Sequence, residues 1–495
     1  MQSSQSFSKF PRFCILRVCN YLQTAFDFVH EFVYFLNQFI CDKLNPKLQN
    51  LMPRTCIIGG GLTGLVQAWQ SQQAGHKVTL FEANDTVGGV LQSERIDGYL
   101  LDYGANTLSL RHQKVARILG ELGMLDRSID ANPEASLRFI VRSGKVVSLP
   151  HNLGSFFSSP FLSPLGKLRL LLEPFIPKGK EDEESVAGFI SRRLGKEALD
   201  FAGNPFLSGV YAAKPESLSL KYAFPALQEI EQKHGSLFRG ILKSKKNPER
   251  LSKSRLISFA SGMQEMPNRI LDLLPAECVQ FKTRAIKIEK VNNQWKVTSQ
   301  SKGSQKTKET FDQLICAVPA SKLLDIEWKG LVSKELLPIL AEATHHPLSL
   351  VYHGYDRAKV NHPLDGFGFL VPEVEKRNIL GTLFSSTLFP GRAPENKVLL
   401  TTFVGGERQP KLANLEDSKL HSLVLKEHQQ LLGTQGRPCF QKIKRWPNAI
   451  PLPDAKMGDR QSAARDLQEG NNGLYFTGSH LCGVSLPNCL EADID

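Results

Sequence analysis

From residue 54 onward, short apolar runs alternate with glycine-marked breaks. Thr55-Cys56-Ile57-Ile58 predicts a buried strand and runs into Gly59-Gly60-Gly61-Leu62-Thr63-Gly64. A helical pattern then continues through Ala74, with Gly75 as its stop, and 77–81 is a second apolar strand ending in Glu82. The run 95–106 alternates like a hairpin turning at Gly98. Residues 137–141 and 145–147 read as paired strands joined at Ser143-Gly144. Residues 151–180 are rich in Phe, Leu and Pro, and 185–194 predicts a helix with its periodicity continuing to Phe201. Ser261-Gly262-Met263 precedes a helix through Leu274. Further strands are expected at 284–290, 295–298, 311–318, 348–354, 367–371 and 398–404, and one helix at 412–432. The leucines of that helix form a core-facing stripe.

The strand–GxGxxG–helix–strand order is a dinucleotide-binding unit. Gly59 permits the tight turn, Gly61 lets backbone approach a pyrophosphate, and Gly64 lets helix and strand pack closely. The helix N-terminus offers free N–H groups to phosphate. Glu82 stands where a carboxylate accepts hydrogen bonds from a ribose and repels a 2′-phosphate, which disfavours NADP. Gly88-Gly89 follows at Glu82-x5-Gly-Gly, a spacing similar to the second fingerprint of FAD enzymes of the amine oxidase group.

Composition narrows the class. The chain has 495 residues, 41% hydrophobic and 22% charged, which excludes general disorder and a polytopic membrane protein. Nine cysteines without metal spacing read as reduced intracellular thiols. The net charge is +12, much of it local to 239–255. With no nucleic-acid motif beside it, that run is a solvated loop or a contact for anionic lipid. Residues 1–26 hold Lys9, Arg12, Arg17 and no acid, as a transit peptide does. The Phe-rich 21–41 is broken by Asp27, His30 and Glu31, so it reads as an interfacial helix rather than a span. Alternatively, Met52 is the true start. His345-His346 reads as a turn pair before Pro347, and His480 as a residue near the cofactor segment.

Four segments carry a more specific resemblance. They are Asn204-Pro205-Phe206-Leu207-Ser208-Gly209-Val210-Tyr211-Ala212, then 381–394 (GTLFSSTLFPGRAP), then Thr402-Phe403-Val404-Gly405-Gly406, then Leu474–Gly478 with 483–489 (GVSLPNC). Together they resemble protoporphyrinogen oxidases, the FAD enzymes of haem and chlorophyll synthesis. The sequence departs from the family pattern at Asn204, Ala105, 449–453 and Ala213-Lys214, and it stops at Asp495 where a final helix is expected.

The resemblance implies a mixed α/β fold: a Rossmann-like FAD-binding domain interleaved with a substrate-binding domain and a helical membrane-associating domain. The expected division is 1–51 extension, 53–145, 256–330 and 431–495 FAD-binding, 146–255 helical, and 331–430 substrate-binding. The implied reaction is oxidation of protoporphyrinogen IX by O2, giving H2O2, with FAD as cofactor and no obligatory general base. Coproporphyrinogen III is the alternative substrate. A desaturase, an amine oxidase or a non-catalytic flavoprotein are more distant readings. For the site, the resemblance assigns Arg138 to a substrate propionate, Phe389 to ring stacking, Leu370 to the opposite wall and Gly209 to close approach. It assigns Gly478 and Val484, with Gly59, Gly61, Gly64, Glu82, Gly88 and Gly89, to the cofactor. For Arg138 the alternative is a solvated strand residue, and for Phe389 a core one. Expected partners are a tetrapyrrole, O2 and a membrane surface, with no nucleic acid, no metal, and a homodimer left open. The expected location is a bacterial inner-membrane face, or a plastid or mitochondrion if 1–51 is a transit segment.

Overall fold

Strand β1 (Arg54–Ile58), helix α1 (Leu62–Gln73) and strand β2 (Lys77–Phe81) form in the predicted order. The structure is a computed structural model that describes residues 52–179, 183–243, 249–301, 303, 305–492 and 494. The expectations for residues 1–51 lie outside the described residues. The 442-residue unit Arg54–Asp495 holds everything below.

β1 is central in a five-stranded parallel sheet, flanked by β2 and then Val279–Gln280 on one side, and by Gln313–Cys316 and Leu474–Phe476 on the other. One sheet is thus assembled from stretches more than 400 residues apart. The strands buried on both faces read as continuous apolar runs, as parallel sheets require. The turn after β1 opens at the carboxyl edge, where the connections diverge to either side and a crevice forms.

A seven-stranded mixed sheet, ordered Phe440–Trp446, Leu348–Asp356, Lys397–Gly405, Gly381–Phe384, Gly366–Leu370, Leu137–Arg142, Lys145–Ser148, forms the second layer. Helix Asp417–Leu432 covers one face through Leu420, Val424, Leu431 and Leu432. The hairpin Ser93–Ile96/Tyr99–Asp102 covers part of the other, its turn at Asp97-Gly98 having both φ positive. Between Leu149 and Arg250 the described chain is helical. Buried Arg193 ties this lobe together by binding the carboxylates of Glu173 and Glu231 and the carbonyls of Ile176 and Gly235.

Three sequence expectations are corrected. The strand expected at 311–318 is shorter: Gln313–Cys316 joins the parallel sheet, while Phe311 ends strand Lys306–Phe311 of an antiparallel one. Asp312 makes the break, its carboxylate accepting from the Arg54 N–H (2.8 Å) and Gln294 Nε2 (2.9 Å). The helix at 412–432 is interrupted after Ala413, where Ser349 and Arg445 donate to the carbonyls of Ala413 and Leu415. The basic run is not a loop throughout. Its second half lies in strand Arg250–Phe259, paired with Leu108–His112 and Ser128–Asp130, and Arg255 reaches Asp130 at 2.8 Å.

Candidate functional site

The cradle after β1 is built by steric exclusion. Gly59 has φ +105, and a Cβ there would stand 2.9 Å from the Ala317 carbonyl. A Cβ on Gly64 would stand 2.0 Å from the Gly59 carbonyl oxygen, so α1 can start this close to β1 only without a side chain. Around a Cβ on Gly61 there is no protein atom within 4 Å. That opening, at the N-cap of α1, is where a pyrophosphate needs backbone access. Gly88 closes the rim by donating its N–H to Gly60 O at 2.8 Å and bridging to Gly61. A Cβ on Gly89 would come 3.3 Å from Gly61 Cα.

Glu82 is buried and tied into this turn. Its Oε2 accepts from the Gly60 N–H (2.7 Å), and its Oε1 accepts from Asn84 N–H (2.8 Å) and Nδ2 (2.7 Å). The carboxylate therefore braces the glycine turn and keeps lone-pair capacity on Oε2 for a ribose hydroxyl.

The C-terminal segment enters from the last strand of the same sheet. Gly478 (φ +130) and Gly483 (φ +101) bracket the short helix Ser479–Cys482, and half-buried Val484 follows. A Cβ on Gly478 would sit 3.2 Å from the His480 ring. His480 is buried, and its Nε2 has no hydrogen-bond partner among the described residues. Burial pulls it down to about 4, so it is neutral at pH 7. The open phosphate cradle, the braced acid and this orphaned nitrogen fit FAD in kind and position.

The expected substrate residues gather on one part of the seven-stranded sheet. Arg138 lies on Leu137–Arg142, next to Gly366–Leu370. It remains solvent-accessible. Its Nη1 donates to the carbonyls of Ala135, Ser136 and Leu137 (3.1–3.3 Å), and its guanidinium stacks 4.3 Å over Phe367. Partial desolvation lowers it below its usual value, and it stays charged. Among the described residues no carboxylate forms an ion pair with it. Phe389 is buried, packed with Ala135 and Leu388 and with half-buried Phe367 and Leu383. It also lines a small cavity with Asn106, Ser385, Thr401 and the buried Arg392–Asp102 pair (3.1 Å). The core alternative for Phe389 thus describes its packing as the chain stands. A bulge at Gly368 (φ +137) changes the face alternation of its strand. Phe369 goes to the helix-covered core, while Phe367 packs toward Phe389 and Leu370 toward Gly209. Gly209 is exposed, and a Cβ on it would meet Leu370 Cδ2 at 2.7 Å.

Sequence reasoning missed Phe367, the residue that orients Arg138, as well as Leu383 and the Arg392–Asp102 pair. The only signal for Phe367 was its place beside Gly368 in an apolar strand. His345 and His346 sit in the irregular stretch before Pro347, as expected of a turn pair.

A βαβ cradle open at Gly61, completed by a glycine-rich C-terminal segment, defines an FAD-dependent oxidoreductase. The chain belongs to the family of flavin containing amine oxidoreductases, whose profile matches residues 62–492. Within it the chain groups with protoporphyrinogen oxidases. It is 33% identical over 468 residues to the mitochondrial protoporphyrinogen oxidase of Nicotiana tabacum, covering 89% of this chain and 93% of that protein. It is 27% identical over 455 residues to the coproporphyrinogen III oxidase of Bacillus subtilis (strain 168), covering 88% and 95%. In structure it resembles a protein assigned as a protoporphyrinogen oxidase of Exiguobacterium sp. 255-15, with a TM-score of 0.74, 23% identity and coverage of 88% and 96%.

Proposed function

We propose that the chain oxidises protoporphyrinogen IX to protoporphyrin IX, with O2 as electron acceptor and H2O2 as product. Six electrons leave the substrate in three two-electron steps. The observation that carries this reading is Arg138. It is a solvent-accessible guanidinium without an acidic partner among the described residues, held flat on Phe367 at the edge of an apolar cluster. A large apolar ring bearing carboxylates needs that combination.

FAD, when bound, supplies the two-electron chemistry and the reaction with O2. The chain's own residues do the rest. The Gly59–Gly64 turn holds the pyrophosphate, and Glu82 fixes that turn and takes the ribose. Gly478, Gly483 and Val484 allow close approach at the redox end. Phe367, Leu383 and Leu370 form the apolar wall, backed by buried Phe389, Gly209 leaves it room, and Arg138 orients a propionate. Aromatisation drives the reaction, so a strong base is not required.

The coproporphyrinogen III relative, at 27% identity over most of both chains, favours coproporphyrinogen as a second reading. One assay separates the two. Purified FAD-loaded protein is incubated with each porphyrinogen, and porphyrin fluorescence and peroxide are followed. Turnover of protoporphyrinogen with peroxide is expected. Turnover of coproporphyrinogen alone selects the second reading, and turnover of neither with flavin bound refutes both.

The helical lobe supports peripheral membrane association. Helix Pro164–Leu171 has no buried residue, and Leu165, Leu168, Leu171, Leu172 and Phe175 are exposed around it, interleaved with Lys167 and Arg169. None of the helices among the described residues is long and apolar enough to cross a membrane. The lobe would therefore lie on one face of a bilayer, at a bacterial inner membrane or inside a plastid or mitochondrion.

A further inference from the structure

The C-terminal segment carries two thiols that neither the cradle nor the proposed reaction uses. Helix Ser479–Cys482 and helix Leu486–Leu490 are joined through Gly483, and that turn folds Cys482 and Cys489 toward one carbonyl. Both sulfurs lie 3.8 Å from Gly483 O, and Cys482 also donates to Gly478 O at 3.1 Å. Cys482 is half-exposed and Cys489 is buried. Cys489 interacts with Cys482 and with the Thr63 hydroxyl in the first turn of α1, the helix that starts the phosphate cradle. The interaction with Cys482, helped by Thr63, pulls the Cys489 thiol below its usual range despite burial. The same interaction, together with burial, pushes Cys482 well above it. Because the Cys489 sulfur takes hydrogen bonds from both Thr63 and Cys482, it is placed as the attacking sulfur, with the less buried Cys482 as the resolving thiol.

We propose that Cys482 and Cys489 form a reversible, peroxide-sensitive dithiol–disulfide site against the cofactor cradle. The Cys489 sulfur attacks one oxygen of hydrogen peroxide. An S–O bond forms, the O–O bond breaks, and the first water leaves. The Cys482 sulfur then attacks the sulfenic sulfur, so that the S–S bond forms, the S–O bond breaks, and its thiol proton leaves in the second water. Two thiols and one peroxide give one disulfide and two waters, with two electrons passing from sulfur to oxygen. The disulfide would staple the Gly483 turn and withdraw Cys489 from Thr63. The site does not depend on which porphyrinogen is oxidised.

The chain lends itself to a direct test. No Lys or Arg lies between Arg465 and Cys489, so one tryptic peptide beginning at Asp466 contains both thiols. The FAD-loaded protein is titrated with hydrogen peroxide, alkylated, digested and weighed. A peptide two hydrogens lighter and unalkylated is expected, reversed by dithiothreitol, and formed before exposed Cys439 is oxidised. In Cys482→Ser, Cys489 is expected to accumulate as a sulfenic acid captured by dimedone. In Cys489→Ser, Cys482 is expected to remain alkylatable. Flavin absorbance checks that both variants are folded. Full alkylation of both thiols while Cys439 is oxidised overturns the proposal, and so does over-oxidation of separate thiols without the disulfide mass.

Discussion

Replacing Arg138 by Ala removes an exposed charge stacked on Phe367 and three hydrogen bonds from the turn at Ala135–Leu137. If it binds a propionate, the loss falls on substrate binding. A hydrogen bond to a charged group contributes about 1.5–3 kcal/mol, so KM is expected to rise about 10- to 100-fold with kcat little changed. Arg138→Lys should recover only part, because the planar fork is lost. An unchanged KM for both would return Arg138 to the solvated role, and a thermal melt separates out its effect on the turn.

At the same scale, three histidines record what burial does to a base. His428 is fully buried, hydrogen-bonded to Tyr355 (3.2 Å) and Thr402 (2.8 Å). His353 bonds to Tyr355 and to His421, which lies near Asp417 and Arg445. Burial lowers His428 to about 3 and His353 to about 2. A base whose folded value is depressed binds fewer protons folded than unfolded, so stability falls as pH drops below the unfolded value near 6.5. The slope approaches about 1.4 kcal/mol per pH unit for each such group until the folded value is reached. Melting temperature is expected to fall steadily from pH 6.5 to 4.5, and less steeply in His428→Gln once its own lower starting stability is subtracted. A flat profile in the parent protein would contradict it.

At the scale of the element, Gly61 and Gly64 share one motif and call for different outcomes. Gly64→Ala drives a Cβ into the Gly59 carbonyl and should destabilise the fold with or without cofactor. Gly61→Ala meets no protein atom, so the apoprotein should melt near its parent value while bound flavin per chain, read by absorbance, falls sharply. Equal effects of the two on apoprotein stability would refute the assignment of the opening. The motif was legible because a βαβ unit is local: its hydrogen bonds and close approach involve residues near in sequence. The breaks at Asp312 and after Ala413 were not, because each is made by distant partners, Arg54 and Gln294 for one, Ser349 and Arg445 for the other. Arg250–Phe259 likewise reads as a charged loop until Leu108–His112 and Ser128–Asp130 give it a ladder.

Across the whole molecule, exposed leucines and aromatics are concentrated in the helical lobe, with Leu165 78% and Phe175 77% exposed. Burying such a side chain contributes about 1.5–3 kcal/mol. The triple variant Leu165→Glu, Leu168→Glu, Phe175→Glu is therefore expected to lose at least about tenfold in flotation with phosphatidylglycerol vesicles, while keeping turnover of detergent-dispersed substrate. Unchanged flotation would move the membrane surface elsewhere.

Sequence alone determined the cofactor class. A glycine required by local sterics, an acid at the end of the second strand and the period of the apolar runs are all encoded within about thirty consecutive residues. Tertiary structure decided the surroundings of the residues proposed to meet the substrate. Arg138 acquires its orientation from Phe367, more than two hundred residues away, across a parallel strand pair, and Phe367 faces it only because the bulge at Gly368 shifts the alternation of that strand. The proximity of Cys489 to Thr63 is of the same kind. A contact between distant segments leaves no periodic trace in either one, since each satisfies its own backbone locally and meets the other only when the sheets assemble.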